Sequence, residues 1–257
     1  MTKRFIIALL LLLSVPVSLS AQEQDVLTIT VNGVSFNMIR VEGGTFLMGD
    51  PSIPCRRPAP AHQETVSTYY IGETEVTEEM WRAVMGDAFF EYYKDVNNQQ
   101  YFEDSLQLPV FSATYIECVR FIYKLKELTG RKFRLPTGAE WEYAARGGAK
   151  SRGYMYSGSN NIDEVACYNG QNLRRGHVTV NVKSKKPNEL GIYDMSGNVA
   201  EWCNELYGDP NFAGYYVLRG GSESDHDARD CTPTSRYPGH PGFKYTTLQG
   251  FRLVLEL

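Results

Sequence analysis

Apolar and polar residues alternate near the start of the chain, in the stretch LTITVNGVSFNMIRV. This period-two pattern is typical of half-buried β-strands. It runs on both sides of Asn32-Gly33, a dipeptide that favours the turn of a β-hairpin. Further strands are predicted in VEGGTFLMG, TVSTYYIGETEV, YYVLRGGS and GFRLVLEL, and a proline-rich loop is predicted from Pro51 to Pro60.

Helical periodicity is clearest in SATYIECVRFIYKLKELTG, where Ser112 is the predicted cap and Gly130 ends the run. A second helix is predicted after Thr77, and a third after Thr137, which has capping-box spacing to Glu140. Helices set among short strands and long loops indicate an α+β domain. The apolar residues that recur at helical spacing in the first helix are Tyr115, Ile116, Val119, Ile122, Leu125 and Leu128.

The first residues have the composition of a secretory signal peptide. Lys3 and Arg4 precede an apolar run too short to span a bilayer comfortably, and small residues follow up to Ala21. We therefore predict a cleaved leader at 1–21, a single domain at 22–257, and export to the periplasm, the cell surface or the medium. An uncleaved anchor is the alternative. No later stretch is apolar enough for a membrane span.

The net charge and the cysteine content limit which partners, metal sites and disulfide bonds the chain can have. The formal net charge is −4 without a basic stripe, which argues against a nucleic-acid partner. No CxxC spacing supports a zinc ribbon. Export permits a structural disulfide, but an odd number of thiols leaves at least one unpaired. Spacing alone does not decide which of the five pair: Cys55, Cys118, Cys167, Cys203 and Cys231.

Six motifs occur in order: VEGGTFLMG, TEVTEEMWRAVMG, FRLPTGAEWEYAARGG, GIYDMSGNVAEWC, VLRGGS and GFRLV. With them the chain resembles the formylglycine-generating enzyme family, also called the sulfatase-modifying factor family, over about 38–255. The resemblance implies a C-type-lectin-like α+β fold, rich in loops, with short strands and two main helices.

In this family the segment that GIYDMSGNVAEWC resembles wraps a calcium ion. The implied ligands are the carboxylates of Asp194 and Glu201 and the main-chain carbonyls of Gly197 and Val199, which are the oxygen ligands that calcium takes. The alternative is that the two acids only bond turn amides and form a salt bridge. The family usually has an aromatic residue where this chain has Ala200, a departure that opens the packing there.

A second calcium loop of the family is expected to be absent or weakened in this chain. Cys167 and Tyr168 stand where its ligands would lie, and no aspartate occurs between Gly170 and Val182.

The family's enzymes bind copper(I) through two cysteines that follow the GGS motif. Here the matching positions are Asp225 and Asp230, and the lone Cys231 is one residue further on. Carboxylates are poor ligands for copper(I), which prefers soft thiolates. We therefore expect no copper and no formylglycine synthesis, with Cys231 as the single thiol that could be considered catalytic.

Other chemistry has weaker support. The adjacent residues Ser224 to Asp227 point in different directions and favour a solvated loop over a metal site, and the histidines His62, His177 and His240 are isolated. Iron is unsupported, since the relatives that use it carry its histidine ligands on a separate domain. The family's fold implies a Cys203–Cys231 disulfide, with Cys118 as an alternative partner.

Two functions from different classes follow from the resemblance: an exported oxidase of altered chemistry, or a binding module on the same scaffold. Lectin-fold proteins diversified by retroelements vary in the same C-terminal window, and such a protein is a further alternative. The segment from Glu223 to Gln249 is rich in short polar, proline and glycine residues that suit an exposed loop. We expect it to bind a protein, peptide or glycan through Asp225, His226, Asp230, Tyr237, Phe243 and Tyr245.

Overall fold

The computed structural model describes residues 25–58, 60–91, 105–168, 179–243 and 248–257. The predicted leader, His177, most of the second calcium loop and Tyr245 lie outside these ranges. Strands β1 (Val26–Val31) and β2 (Val34–Val41) form the predicted antiparallel hairpin. Asn32 and Gly33 have φ values of 47° and 85° at its turn, which explains the choice of this dipeptide.

The remaining strands are mostly short, and long loops separate them. Their bounds are β3 (Gly44–Met48), β4 (His62–Val66), β5 (Tyr69–Gly72), β6 (Phe133–Arg134), β7 (Ala200–Leu206), β8 (Tyr216–Arg219), β9 (Arg236–Gly239), β10 (Gln249–Gly250) and β11 (Val254–Leu255). They form a five-stranded sheet β1-β2-β5-β11-β6, a four-stranded sheet β10-β7-β8-β9 and a two-stranded β3-β4 sheet.

Helix α1 (Glu78–Met85) begins after Thr77, whose side chain accepts from the Met80 amide as predicted. Helix α2 (Tyr115–Thr129) begins at Thr114, which closes a capping box with Glu117; the prediction of Ser112 as the cap was wrong by two residues. Helix α3 (Gly138–Ala145) has the predicted Thr137–Glu140 capping box. A single-turn helix α4 covers Ile162–Val165. The described ranges thus hold three helices of eight residues or more, one more than the two main helices expected.

The buried face of α2 differs from the predicted one. Its buried residues are Cys118, Phe121, Ile122 and Leu125. Ile116, Val119 and Leu128 are 44–45% exposed. The helix carries more apolar residues than one face holds, so periodicity does not decide which stripe packs against α1 and β6.

Two hydrophobic clusters fill the interior. One surrounds Trp81 and Phe121, and Trp202 also belongs to it, as predicted for a core residue. The other surrounds Trp141, on α3, and includes Cys203 on β7. The architecture is α+β, as predicted. None of the helices within the described ranges combines the length and apolarity needed to cross a bilayer.

Candidate functional site

Ala200 and Glu201 are neighbours on strand β7, so their side chains point to opposite faces of the four-stranded sheet. Glu201 points to a face that the rest of the domain covers completely. Its Oε2 accepts from Trp141 Nε1 at 2.7 Å and from Arg252 Nε at 2.6 Å, while Oε1 accepts from Arg252 Nη2 at 2.6 Å. All three side chains are fully buried. The other guanidinium N–H groups donate to the carbonyls of Gly72 and Tyr193.

The predicted calcium loop leads into β7 and is tightly built. Asp194 and Gly197 have positive φ values of 58° and 80°. A Cβ at Gly197 would lie 2.2 Å from the Cys167 carbonyl oxygen, so only glycine fits there. Asp194 accepts from the Lys183 amide at 2.8 Å. Glu201 is thus already engaged by Arg252, while Asp194 keeps one carboxylate oxygen for which the described residues supply no hydrogen bond.

Two further observations bear on whether a cation fits this loop. Burial raises the pKa of Asp194 to about 6 and raises the pKa of Glu75 well above its usual range, with neighbouring carboxylates adding to both shifts. Glu75 Oε1 is buried without a hydrogen-bond partner. Both features suit a cation. However, no three acidic, histidine or cysteine side chains of the described ranges could share one metal ion, so calcium there would depend on main-chain carbonyls.

The opposite face of the same sheet is open at Ala200. A pocket of about 170 Å³ lies there, and its floor comes from all four strands. Gln249 pairs with Ala200 across β10 and β7, and Leu218 pairs with Tyr237 across β8 and β9. The loop that follows β8 supplies the polar wall through Ser222 and Asp225.

The structure brings together Asp225, Asp230 and Tyr237, three of the residues of the predicted ligand surface. Asp225 Oδ2 accepts from the Ser222 amide at 2.7 Å and from its hydroxyl at 3.1 Å. Burial first, and then the charge of Asp230, raises the pKa of Asp225. Burial and the charge of Asp225 also raise the pKa of Tyr237.

Several polar atoms around Tyr237 are buried without a hydrogen bond of good geometry. They are Asp230 Oδ1, Ser235 Oγ and Tyr237 Oη. Asp230 is 2% exposed and Ser235 is fully buried. The three groups are neighbours, since Asp230 and Ser235 both act on the Tyr237 hydroxyl, so their hydrogen bonds to one another are poorly aligned rather than absent.

Sequence reasoning missed two arginines here: Arg57, which lines the pocket, and Arg56, which pairs with the nearby Asp230. Arg56 Nη1 donates to Asp230 Oδ2 at 3.2 Å. The Arg57 guanidinium lies 4.8 Å from the centre of the Tyr237 ring. Both arginines come from the predicted proline-rich loop. Their adjacent positive charges were the one sequence feature that indicated an acidic partner for this loop.

Other predicted surface residues lie apart from the pocket. His226 is exposed in the same loop. Phe243 is 60% exposed, and its ring lies 4.2 Å from that of His240. Neither residue lines the pocket.

The cysteines correct one expectation. All five are free thiols, so the structure does not show the predicted Cys203–Cys231 disulfide. Cys203 packs in the cluster around Trp141, whereas Cys231 lies against Gly221 and beside Asp225 and Asp230. Cys231 is fully buried, and burial raises its pKa well above the usual value. A buried neutral thiol is a poor nucleophile and a poor metal ligand.

Residues 28–257 match the family model described as sulfatase-modifying factor enzyme 1-like domain, and the chain belongs to this family. The Chaperone protein LppX of Paenibacillus barcinonensis is 35% identical over 224 residues, which cover 69% of this chain and 74% of that protein. The Inactive C-alpha-formylglycine-generating enzyme 2 of Mus musculus is 31% identical over 149 residues, covering 52% of this chain and 46% of that protein.

Among solved structures, Treponema denticola variable protein 1 superposes with a TM-score of 0.75 at 28% identity, covering 91% of this chain and all of that one. The α+β fold predicted from the family resemblance is therefore confirmed.

Proposed function

We propose that this chain is an exported binding protein on the formylglycine-generating enzyme scaffold, without the copper-dependent oxidase activity. Its C-terminal loops recognise a protein, peptide or glycan partner. The observation that carries this proposal is the replacement of both copper-binding cysteines by carboxylates in this chain. They are Asp225 and Asp230, and the second of these carboxylates is held by Arg56.

Three further points support the proposal. Cys231 is the single thiol near the two positions, and it is fully buried, so it is not accessible to copper(I) from solvent. The segment from Glu223 to Gln249 presents the exposed side chains of His226 and Phe243, and such polar and aromatic groups are typical of recognition surfaces. The leader-like start of the chain supports export. Fold alone does not decide between an oxidase and a binder, because the site determines the function.

Copper chemistry is the direct test. Purified mature protein is titrated with copper(I) under a competing chelator and incubated with a sulfatase-type cysteine peptide and oxygen. We expect neither stoichiometric copper nor oxidised peptide, with an active formylglycine-generating enzyme as the positive control. The double variant Asp225→Cys/Asp230→Cys is the matched control and should gain copper(I) affinity. Turnover by the unaltered chain would overturn the proposal.

Partner binding is tested with extracts of the native host and its surroundings. Tyr237→Ala and Phe243→Ala should reduce capture of a partner, because aromatic side chains give rigid contact area at low entropic cost. Phe212→Ala removes a partly exposed aromatic ring outside the loop segment and serves as control. Equal capture by all three variants, each with unchanged melting, would place the partner elsewhere.

We also propose that the loop before β7 holds one calcium ion through Asp194, Glu201 and the carbonyls of Gly197 and Val199. The raised pKa of Asp194 and the unpartnered oxygen of Glu75 support a cation at this place. The ion would neutralise buried carboxylates and hold the loop in its bent form.

A further inference from the structure

The pocket beside Ala200 has the size of one side chain. Its volume of about 170 Å³ is close to that of an engineered cavity of roughly 150 Å³ that accommodates benzene. It therefore has room for a group of about six non-hydrogen atoms.

The small side chain of Ala200 creates this room. Trp202 lies two residues further along β7 on the same face, where a Cβ on Gly239 would come within 2.3 Å of the Trp202 ring. That part of the face is filled, and Trp202 is fully buried. Ala200 has only a methyl side chain, which leaves space above the sheet at this position. The apolar floor formed by Ala200, Leu218 and Pro238 therefore remains accessible.

The polar wall of the pocket is anionic. Asp225 uses Oδ2 for the Ser222 hydrogen bonds, whereas no donor in the described part of the chain contacts its Oδ1. Asp230 lies close enough to raise the pKa of Asp225, and Arg56 pairs with Asp230 at 3.2 Å. The charge of Arg56 also acts on Asp225, but the two form no ion pair, so this mostly buried carboxylate favours a further positively charged partner.

The aromatic edge of the pocket already accepts a cation. The Arg57 guanidinium lies over the Tyr237 ring at 4.8 Å from its centre. The Arg57 side chain is exposed, and it borders the pocket without bonding to Asp225. A cation on the ring face is attracted by the ring quadrupole. Because Arg57 is exposed, moving it away costs little.

From this geometry we infer that the pocket binds the end of an aliphatic chain that carries an ammonium or guanidinium group. The charged group contacts Asp225 Oδ1, and the chain lies over Ala200, Leu218 and Pro238. This inference rests on the proposed binding function and names the ligand class of that surface. The cation comes either from a free amine or from a lysine or arginine side chain of a partner.

The test uses four small probes of similar size: n-butylammonium, n-butylguanidinium, n-butanol and butyrate. Amide chemical shifts of the mature protein are followed by NMR during each titration. We expect the cations to shift Ala200, Ser222 and Asp225 saturably, with dissociation constants on the order of 1 mM for so few atoms. Butanol should bind about tenfold more weakly, because it lacks the charge-assisted hydrogen bond. Butyrate binding as tightly as the cations would overturn the inference.

Matched variants separate the carboxylate from its surroundings. Asp225→Asn should weaken cation binding about tenfold or more. Asp227→Asn should leave it unchanged, because Asp227 lies in the same loop but is paired with Arg229 and does not line the pocket. Arg57→Ala should tighten cation binding, since it removes a competing charge. Weaker cation binding after Arg57→Ala, or equal losses from Asp225→Asn and Asp227→Asn, would overturn the inference.

Ala200→Leu fills the pocket and should abolish binding of every probe while the protein still melts cooperatively. Retained binding in the folded variant would contradict the pocket assignment. The source of the cation is separated with blocked lysine and arginine peptides. Tighter binding of the peptides than of n-butylammonium indicates a partner side chain, and the reverse order indicates a free amine. If no cation shifts the pocket amides while partner capture persists, this inference fails and the proposed function stands.

Discussion

The acidic side chains on the two faces of strand β7 differ in how completely the protein satisfies their hydrogen bonds. On one face, Glu201 is enclosed by Arg252 and Trp141, and both of its oxygens are bonded. On the other face, beyond Ala200, Asp225 keeps one oxygen without a donor from the described residues, and Tyr237 Oη and Asp230 Oδ1 make no hydrogen bond of good geometry. The first arrangement holds the chain together. The second leaves polar atoms that the fold does not use for its own hydrogen bonds, and we propose that a ligand binds there.

The closed face should be by far the more costly to disturb. Without calcium, Arg252→Met leaves Glu201 as an uncompensated buried charge, and we expect a loss of about 3–5 kcal/mol in the free energy of unfolding. Urea unfolding measures it. Arg229→Met, at a surface pair with Asp227, is the matched control and should leave stability nearly unchanged.

The double variant Glu201→Leu/Arg252→Met should recover much of that loss, because neither buried charge then remains. Similar losses for Arg252→Met and Arg229→Met would remove the distinction between the two faces.

Calcium should be the next largest effect, and it acts on the closed side. An ion bound only by the folded state stabilises it by about 2.7 kcal/mol at one hundred times its dissociation constant. Chelation should therefore lower the melting temperature, and Asp194→Asn should abolish that response. Asp209→Asn, in an exposed turn, should retain it. A melting curve indifferent to both calcium and chelator would reject the ion.

Two tyrosines with buried hydroxyl groups extend the comparison. Tyr69 Oη donates to the Glu140 carbonyl at 2.6 Å, whereas Tyr237 Oη makes no hydrogen bond of good geometry. Tyr69→Phe should lower the free energy of unfolding by about 1 kcal/mol, the usual net value of one hydrogen bond. Tyr237→Phe should change stability less than Tyr69→Phe, since the hydroxyl it removes makes no hydrogen bond of good geometry. Chemical denaturation checks both, and a larger loss at Tyr237 would show that its hydroxyl is satisfied.

The smallest effect should be a pH dependence at Asp225. Burial and the charge of Asp230 raise the folded-state pKa of this carboxyl above that of an ordinary aspartate. The folded state therefore holds the proton more tightly, so this contribution to stability is fully present below the unfolded-state pKa and is lost as pH rises through the folded-state pKa.

Asp225→Asn should accordingly make the free energy of unfolding less dependent on pH above about pH 4, where an ordinary aspartate has lost its proton. It should not destabilise the protein at neutral pH. Unfolding curves across this range give the answer. A parallel pH profile for the variant and the unaltered chain would contradict the raised pKa.

Much of the fold followed from local signals. The Asn32-Gly33 hairpin, the Thr77 cap and the Thr137–Glu140 capping box depend on neighbours within a few residues, and all three are confirmed. The periodic residues of α2 only partly mark its buried face, because Ile122 and Leu125 are buried whereas Ile116 and Val119 remain exposed. Which stripe is buried depends on the shape of α1 and β6, and periodicity contains no information about that shape.

The candidate site also has one part that was predictable from the sequence and one part that was not. The motif order located the loop of Asp194 and the segment of Asp225, Asp230 and Tyr237. It did not indicate that Arg56 and Arg57 would meet this segment, since that contact joins residues more than one hundred and seventy positions apart. The disulfide expectation failed for a related reason, because Cys203 and Cys231 pack against different neighbours.

The sequence by itself determined the family, the α+β class, the caps and the glycine that lets the loop turn before β7. These features rest on local backbone preferences and on motif order. Only the tertiary structure decided that Glu201 is enclosed while Asp225 remains open. Alternation along a strand sends Ala200 and Glu201 to opposite faces, but what covers each face depends on chain segments brought in from far away. In this protein Arg252 covers one face, and the small side chain of Ala200 leaves the other open.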